Sequence, residues 1–117
     1  MNAKHYVSLE VAKMLKEKEY DRECISYYHD NCTEVDYSFC GERNSTWEER
    51  CVSAPTLLEA MDWMEERRIR IELQYSDYYH LWYSTIKLPS VTITGMGYYA
   101  DRNECMNETI KKGLELL

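Results

Sequence analysis

The sequence predicts an α+β protein, a single two-layer domain in which a mainly antiparallel sheet of four to five strands carries three helices packed on one face. Three observations lead there. Apolar stripes with the helix period occur in three places, each behind a capping residue. Stretches with period-two alternation fill the intervals between them. Helices on one side of a sheet are the simplest way to bury all of these stripes, which gives the order α-β-β-α-β-β-(β)-α. At 117 residues one domain, 1–117, is the expectation. A chain of this size buries roughly two-thirds of its unfolded surface, so it needs neither metal nor disulfide to fold.

The first helix is read over Leu9–Lys18, "LEVAKMLKEK". Ser8 precedes it as N-cap, where its hydroxyl can accept from an orphan backbone N–H. Leu9, Val11, Ala12, Met14 and Leu15 form the apolar side, and Lys13, Lys16, Glu17 and Lys18 face water. A hairpin follows, from "CISYY" (24–28) and "VDYSFC" (35–40). Its apolar residues Ile25, Tyr27, Val35, Tyr37 and Phe39 are all odd-numbered, which predicts that the odd positions share the buried face. Residues 41–50, "GERNSTWEER", read as a polar loop from which only Trp47 docks.

The second helix lies in "SAPTLLEAMDWMEERR". Thr56 and Glu59 have capping-box spacing, and Pro55 stands before the cap, where its missing donor does no harm. Leu57, Leu58, Ala60, Met61 and Met64 supply its apolar stripe, with Trp63 at the rim. The period then changes to two: Ile69, Ile71, Leu73 and Tyr75 alternate with Arg70, Glu72 and Gln74. "SDYY" (76–79) reads as a hairpin loop, and the return strand runs from His80 to about Leu88. With Tyr75 opposite His80, Leu73 would face Trp82 and Ile69 would face Ile86. The reverse face would then carry Arg70, Glu72, Gln74, Leu81, Tyr83 and Thr85. Pro89 ends this strand because it cannot donate to a ladder. Val91 and Ile93 suggest a short further strand, closed by Gly95 and Gly97. A third helix starts at Asp101, which with Glu104 repeats the capping-box spacing. It would bury Met106, Ile110, Gly113, Leu114 and Leu117, with Gly113 allowing a close approach to the sheet.

Four of the five cysteines, Cys24, Cys32, Cys40 and Cys51, fall in one 28-residue stretch together with His29. Zinc knuckles use tight pairs such as C-x2-C, whereas the gaps here are seven, seven and ten residues. No metal site and no cofactor are expected. One hairpin register would put Cys24 opposite Cys40, but an odd cysteine count argues against a structural disulfide. A catalytic thiol needs a neighbouring base, and the acids around His29 and Cys32 would raise a thiol's pKa. Reduced structural cysteines are therefore expected, with Cys105 at the core edge of the last helix. His5 and His80 have no partner at a telling spacing. The bare G-x-G of Gly95 and Gly97 lacks the βαβ setting of a phosphate loop. The sequence points to no catalytic residues.

Net charge is −7, from 21 acidic and 14 basic residues. That repels phosphate backbones and anionic surfaces, so nucleic acid is an unlikely partner and a membrane is not expected. The N-terminal stretch lacks an apolar export signal and no run of 18 apolar residues occurs, so a cytoplasmic location is expected. The glycosylation-type triplets at Asn31, Asn44 and Asn107 carry no weight without export. Eleven tyrosines are many for this length. Tyr27, Tyr37 and Tyr75 suit half-buried strand positions. Tyr78, Tyr79, Leu81 and Tyr83, on the hairpin tip and the reverse face, are the candidate contact residues for a protein partner, either a host protein or a second copy in a homodimer. The alternative is a local single-strand nucleic-acid binder stacking bases on Trp82, Tyr83 or the Tyr78–Tyr79 tip, with Arg70 and Lys87 nearby. An enzyme using Cys or His is the third and weakest reading.

The segments "SLEVAKMLKEKEYD", "SAPTLLEAMDWMEERRIRIEL", "WYSTI" and "NETIKKGLELL" resemble small uncharacterised proteins encoded in phages, prophages and mobile elements of Bacteroides-type bacteria. The resemblance covers most of the chain and is least in the cysteine-rich middle. It implies a small intracellular accessory protein. The shared motifs describe packing rather than chemistry, and no functional residue is carried over.

Overall fold

The computed structural model describes residues 5–47 and 50–117. Glu48 and Glu49 of the predicted 41–50 loop, and the first four residues, lie outside them. The element order agrees with the sequence reading, with one added strand: α1 (Leu9–Glu17), β1 (Cys24–His29), β2 (Asp36–Glu42), β3 (Cys51–Ser53), α2 (Leu57–Glu66), β4 (Arg70–Ser76), β5 (Leu81–Lys87), β6 (Thr92–Ile93) and α3 (Arg102–Leu114). The expected single sheet of four to five strands under three helices is not what forms. The strands divide into two three-stranded antiparallel sheets, β2-β1-β3 and β4-β5-β6. The chain divides into two compact units, Met1–Thr56 and Leu57–Leu117, each holding one sheet. The strand missing from the sequence reading, β3, is three residues long. That is too short to show an alternation, yet it takes the place beside β1.

In the first unit Ser8 caps α1 as expected, its hydroxyl accepting from Val11 N–H at 3.3 Å. The helix ends in a Schellman motif: Tyr20 N–H donates to Leu15 O and Glu19 N–H to Lys16 O, with Glu19 at φ 68°. Val11, Ala12 and Leu15 are buried, and the helix packs on β3. The parity predicted for the first hairpin is reversed. Along β1 the even residues Cys24, Ser26 and Tyr28 are buried, whereas Ile25 is 52% exposed. The reason lies in what the even side chains reach. Ser26 Oγ donates to Ala54 O at 2.6 Å, and the Tyr28 hydroxyl donates to Val7 O. These polar side chains are satisfied inside, so a hydropathy count assigned them to the wrong face. Trp47 docks as expected: its indole lies 4.6 Å from the Tyr27 ring and its N–H donates to Ser53 Oγ at 2.6 Å. The polar loop before it is tied down by Asn44, whose amide donates to Tyr20 O and accepts from Ser53 N–H.

In the second unit α2 closes with another Schellman motif, Ile69 N–H to Met64 O and Arg68 N–H to Glu65 O, with Arg68 at φ 64°. The buried side of α2 is Leu57, Ala60, Trp63 and Met64. Trp63 is therefore core rather than rim, and Leu58 is 62% exposed. The Arg67 guanidinium lies 3.6 Å from the centre of the Trp63 ring. Asp101 caps α3, accepting from Asn103 N–H at 2.8 Å. Cys105, Met106, Thr109, Ile110, Gly113 and Leu114 are buried along it, so Cys105 is core rather than core edge, and Leu117 is 41% exposed. The close approach at Gly113 is to α2 rather than to a strand: a Cβ there would sit 2.3 Å from Met64 Cε.

Candidate binding surface

The β4–β5 hairpin builds the surface. Its register is Tyr75 opposite Trp82, Leu73 opposite Ser84 and Ile71 opposite Ile86. This is two residues away from the expected pairing, and it moves His80 into a loop formed by residues 77–80. A slip of two leaves every side chain on its predicted face. The loop closes on Ser76, whose carbonyl accepts from His80 N–H at 2.8 Å and whose hydroxyl accepts from Tyr79 N–H at 3.1 Å. His80 takes a left-handed backbone, φ 57°, to complete the turn.

The two faces of the hairpin have different fates. On one, Ser84 Oγ and Thr109 Oγ1 of α3 are 2.5 Å apart, and Ile71 and Ile86 are buried. The other carries Glu72, Gln74, Leu81, Tyr83, Thr85 and Lys87, and the described residues that line the concavity along it come from strands and a loop. The chain after β6 partly encloses this face. Ile93 pairs with Ile86, the chain then leaves the ladder, and it rejoins at Tyr99, which exchanges backbone hydrogen bonds with Trp82 at 2.7 and 2.8 Å. Five residues separate Ile93 from Tyr99, against three between Trp82 and Ile86. The excess forces the chain to arch outward. Gly95 (φ 73°) and Gly97 (φ 117°) supply the backbone conformations this needs. Lys112 of α3 anchors the arch by donating to Met96 O at 2.7 Å.

Under the arch lies a concavity of about 640 Å³, lined by Glu72, Gln74, Tyr83, Thr85, Lys87, Thr92, Thr94, Met96 and Tyr98 with the two glycines. That is within the size range of ligand-binding clefts, about 300–1,000 Å³. Its charges are paired, with Lys87 Nζ 2.9 Å from Glu72 Oε2. A chain of touching rings runs from its wall to the hairpin tip. Tyr83 to Tyr98 is 5.7 Å between ring centres, Tyr98 to Tyr79 is 5.2 Å, and Tyr79 to Tyr78 is 4.8 Å. Tyr78, Tyr79 and Tyr98 are 85%, 57% and 53% exposed.

Of the residues selected from sequence, Tyr78, Tyr79 and Tyr83 join this ring chain, and Leu81 is half-buried on the same face of β5. Tyr98 was missed, although its doublet with Tyr99 marks it as unusual. Nothing local shows that an arch returns it to Tyr83. Trp82 does not share a platform with Tyr83: it lies on the opposite face, against Tyr75 at 5.2 Å and with the Arg102 guanidinium 5.7 Å from its ring centre. Tyr99 is a backbone anchor, and burial, followed by nearby Glu108, Cys105 and Glu104, raises its phenol pKa.

The cysteines do not converge. Cys24, Cys51 and Cys105 are buried, and Cys32 and Cys40 are exposed. Cys24 stands opposite Glu42, not Cys40. Among the described residues no group of three or more His, Cys, Asp or Glu side chains is placed to hold a metal ion. Burial raises the Cys105 thiol pKa, partly opposed by the Ser84 and Thr109 hydroxyls. Among the described residues no helix is long and apolar enough to cross a membrane. Comparison with known proteins finds no matching family model, curated protein or solved structure.

Proposed function

We propose that this is a non-catalytic binding protein that takes up a segment of another protein along the Tyr78–Tyr79–Tyr98–Tyr83 run and in the concavity beneath the arch. The observation that carries this reading is the contiguity of four tyrosine rings, opening onto that concavity. Tyrosine gives a large contact area with few rotatable bonds and a polar tip, so little entropy is lost on docking. Gln74 and the threonines offer hydrogen bonds to a peptide backbone. Nucleic acid fits this face less well, because Lys87 is already paired with Glu72 and Trp82 points the other way. A small accessory protein of the phage or mobile-element type is the setting that accords with this reading.

The test is a peptide-display selection on the immobilised full chain, followed by anisotropy titrations of the enriched peptides. Replacing Tyr79 and Tyr98 together by alanine is expected to weaken binding at least tenfold, about 1.4 kcal/mol, with the thermal melt preserved. Failure to enrich any sequence, or equal binding by the double variant, would overturn the proposal. Labelled single-strand DNA and RNA, titrated at low salt, are expected to give no signal.

A further inference from the structure

A second surface, in the first unit, has its own geometry. β1 and β2 pair at Ser26–Tyr37 and again at Cys24–Glu42. Between those pairs Ile25 alone faces the four residues from Ser38 to Gly41. The three extra residues form a wide bulge in an edge strand, and at its apex stands the chain's single phenylalanine. Phe39 is 107% exposed, more than in an extended reference peptide, while Ile25 on the facing strand is 52% exposed. Isolated apolar side chains on a surface are ordinary. A bulge that protects an edge from pairing is ordinary too, but a charge serves that purpose better than a phenyl ring. Bulges also re-aim side chains, and this one aims a phenyl ring into solvent.

The surroundings set the chemistry of whatever receives it. Residues 23–42 contain five acidic residues, Glu23, Asp30, Glu34, Asp36 and Glu42, and no lysine or arginine. Arg22 and Arg43 flank this stretch, Lys13 and Lys16 line one concavity with Asp30, Arg50 reaches Asp30 at 3.9 Å, and the net acidic part is the exposed pair Glu34 and Asp36. We propose that Phe39 is a docking knob that inserts into an apolar pocket rimmed by lysine or arginine on a partner protein, with the acidic residues steering the approach. The same acids disfavour a symmetric contact between two copies, which would bring like charges together. The bulge disfavours recognition by strand addition. This surface is independent of the tyrosine run.

Photo-crosslinking tests it. The full chain, with benzoylphenylalanine in place of Phe39, is irradiated in its source cells and the adducts are sequenced. The expected adduct is a peptide of one other protein, with basic residues around the attachment point. Unlabelled wild-type chain should compete it away. Phe39→Ala should compete at least tenfold less well, and a Glu34→Gln/Asp36→Asn/Glu42→Gln chain should compete less well than wild type at low salt only. Phe39→Ala should melt like wild type, and the Tyr79→Ala/Tyr98→Ala chain should compete like wild type. Four results would overturn the proposal: no adduct above that from the same photoresidue at exposed Leu58; an adduct to a second copy, nucleic acid or lipid; an adduct site without basic neighbours; or equal competition by Phe39→Ala.

Discussion

Ser84 illustrates how a polar residue comes to lie in the core. It sits mid-strand on the face that meets α3, and its hydroxyl contacts that of Thr109, which itself donates to Cys105 O at 2.7 Å. A hydroxyl has one proton, so Thr109 spends its own on Cys105 and Ser84 is the donor between them. Thr109→Val keeps the shape but strands a buried donor, and is expected to cost about 1–3 kcal/mol. Adding Ser84→Ala to it removes the stranded group, so the double variant should be less destabilised than the sum of the singles in urea titrations. Tyr28→Phe is expected to cost about 1 kcal/mol through its lost bond to Val7 O. At this scale the sequence misleads in a consistent way: Ser26, Tyr28, Ser84 and Thr109 read as polar or mixed, and each is buried because a partner from a distant segment satisfies it.

Among the elements, the starts of α1 and α3 are legible in residue type, whereas the ends of α1 and α2, which fall within two residues of the expected positions, carry no stop residue. Ser8 and Asp101 cap as their residue types imply. The Schellman positions that end α1 and α2 are usually glycine, but here they are Glu19 and Arg68, so nothing in the residue type announces them. Each holds an L-residue in the left-handed region, at a cost of about 1–2 kcal/mol. Glu19→Gly and Arg68→Gly should therefore each stabilise the protein, by up to about 1 kcal/mol once the greater freedom of unfolded glycine is counted, seen as a higher denaturation midpoint. His80 in the hairpin loop should behave in the same way. Between elements the second hairpin was read correctly by face because its alternation is strong and a two-residue slip preserves it. The first was misread because Phe39 and Ile25, the residues that set its apparent parity, are exposed.

For the whole molecule, pH dependence follows from three groups, of which Tyr28 and Cys105 are buried and Tyr99 is partly exposed. Burial raises the pKa of the Tyr28 phenol foremost among its causes, and does the same for the Tyr99 phenol and the Cys105 thiol. Each of these groups is neutral when protonated, so the folded state keeps its proton to higher pH than the unfolded chain does. The stability they contribute is therefore complete below their unfolded pKa values and is lost as pH rises through the folded ones. Denaturant titrations should show stability falling from about pH 8.5 upward, first through the thiol and then through the phenols. Tyr28→Phe should flatten the upper part of that decline. In acid the sign reverses for Asp21, whose carboxyl is held below the usual range chiefly by the Ser45 backbone N–H and hydroxyl. Its contribution is present above the usual carboxylate value and is lost as pH falls through the lowered one.

The sequence by itself determined the α+β class, the order of the helices and of five of the six strands among the described residues, both faces of the β4–β5 hairpin, the docking of Trp47 and three of the four tyrosines in the ring run. These follow from periodicities and capping positions that act over a few residues. Only the tertiary structure decided that the strands form two sheets, that β3 exists, that Tyr98 returns to Tyr83 and that Phe39 stands in solvent. Each of these depends on pairing between segments far apart in the chain. Strand register and loop closure are settled there by hydrogen bonds that local hydropathy does not encode.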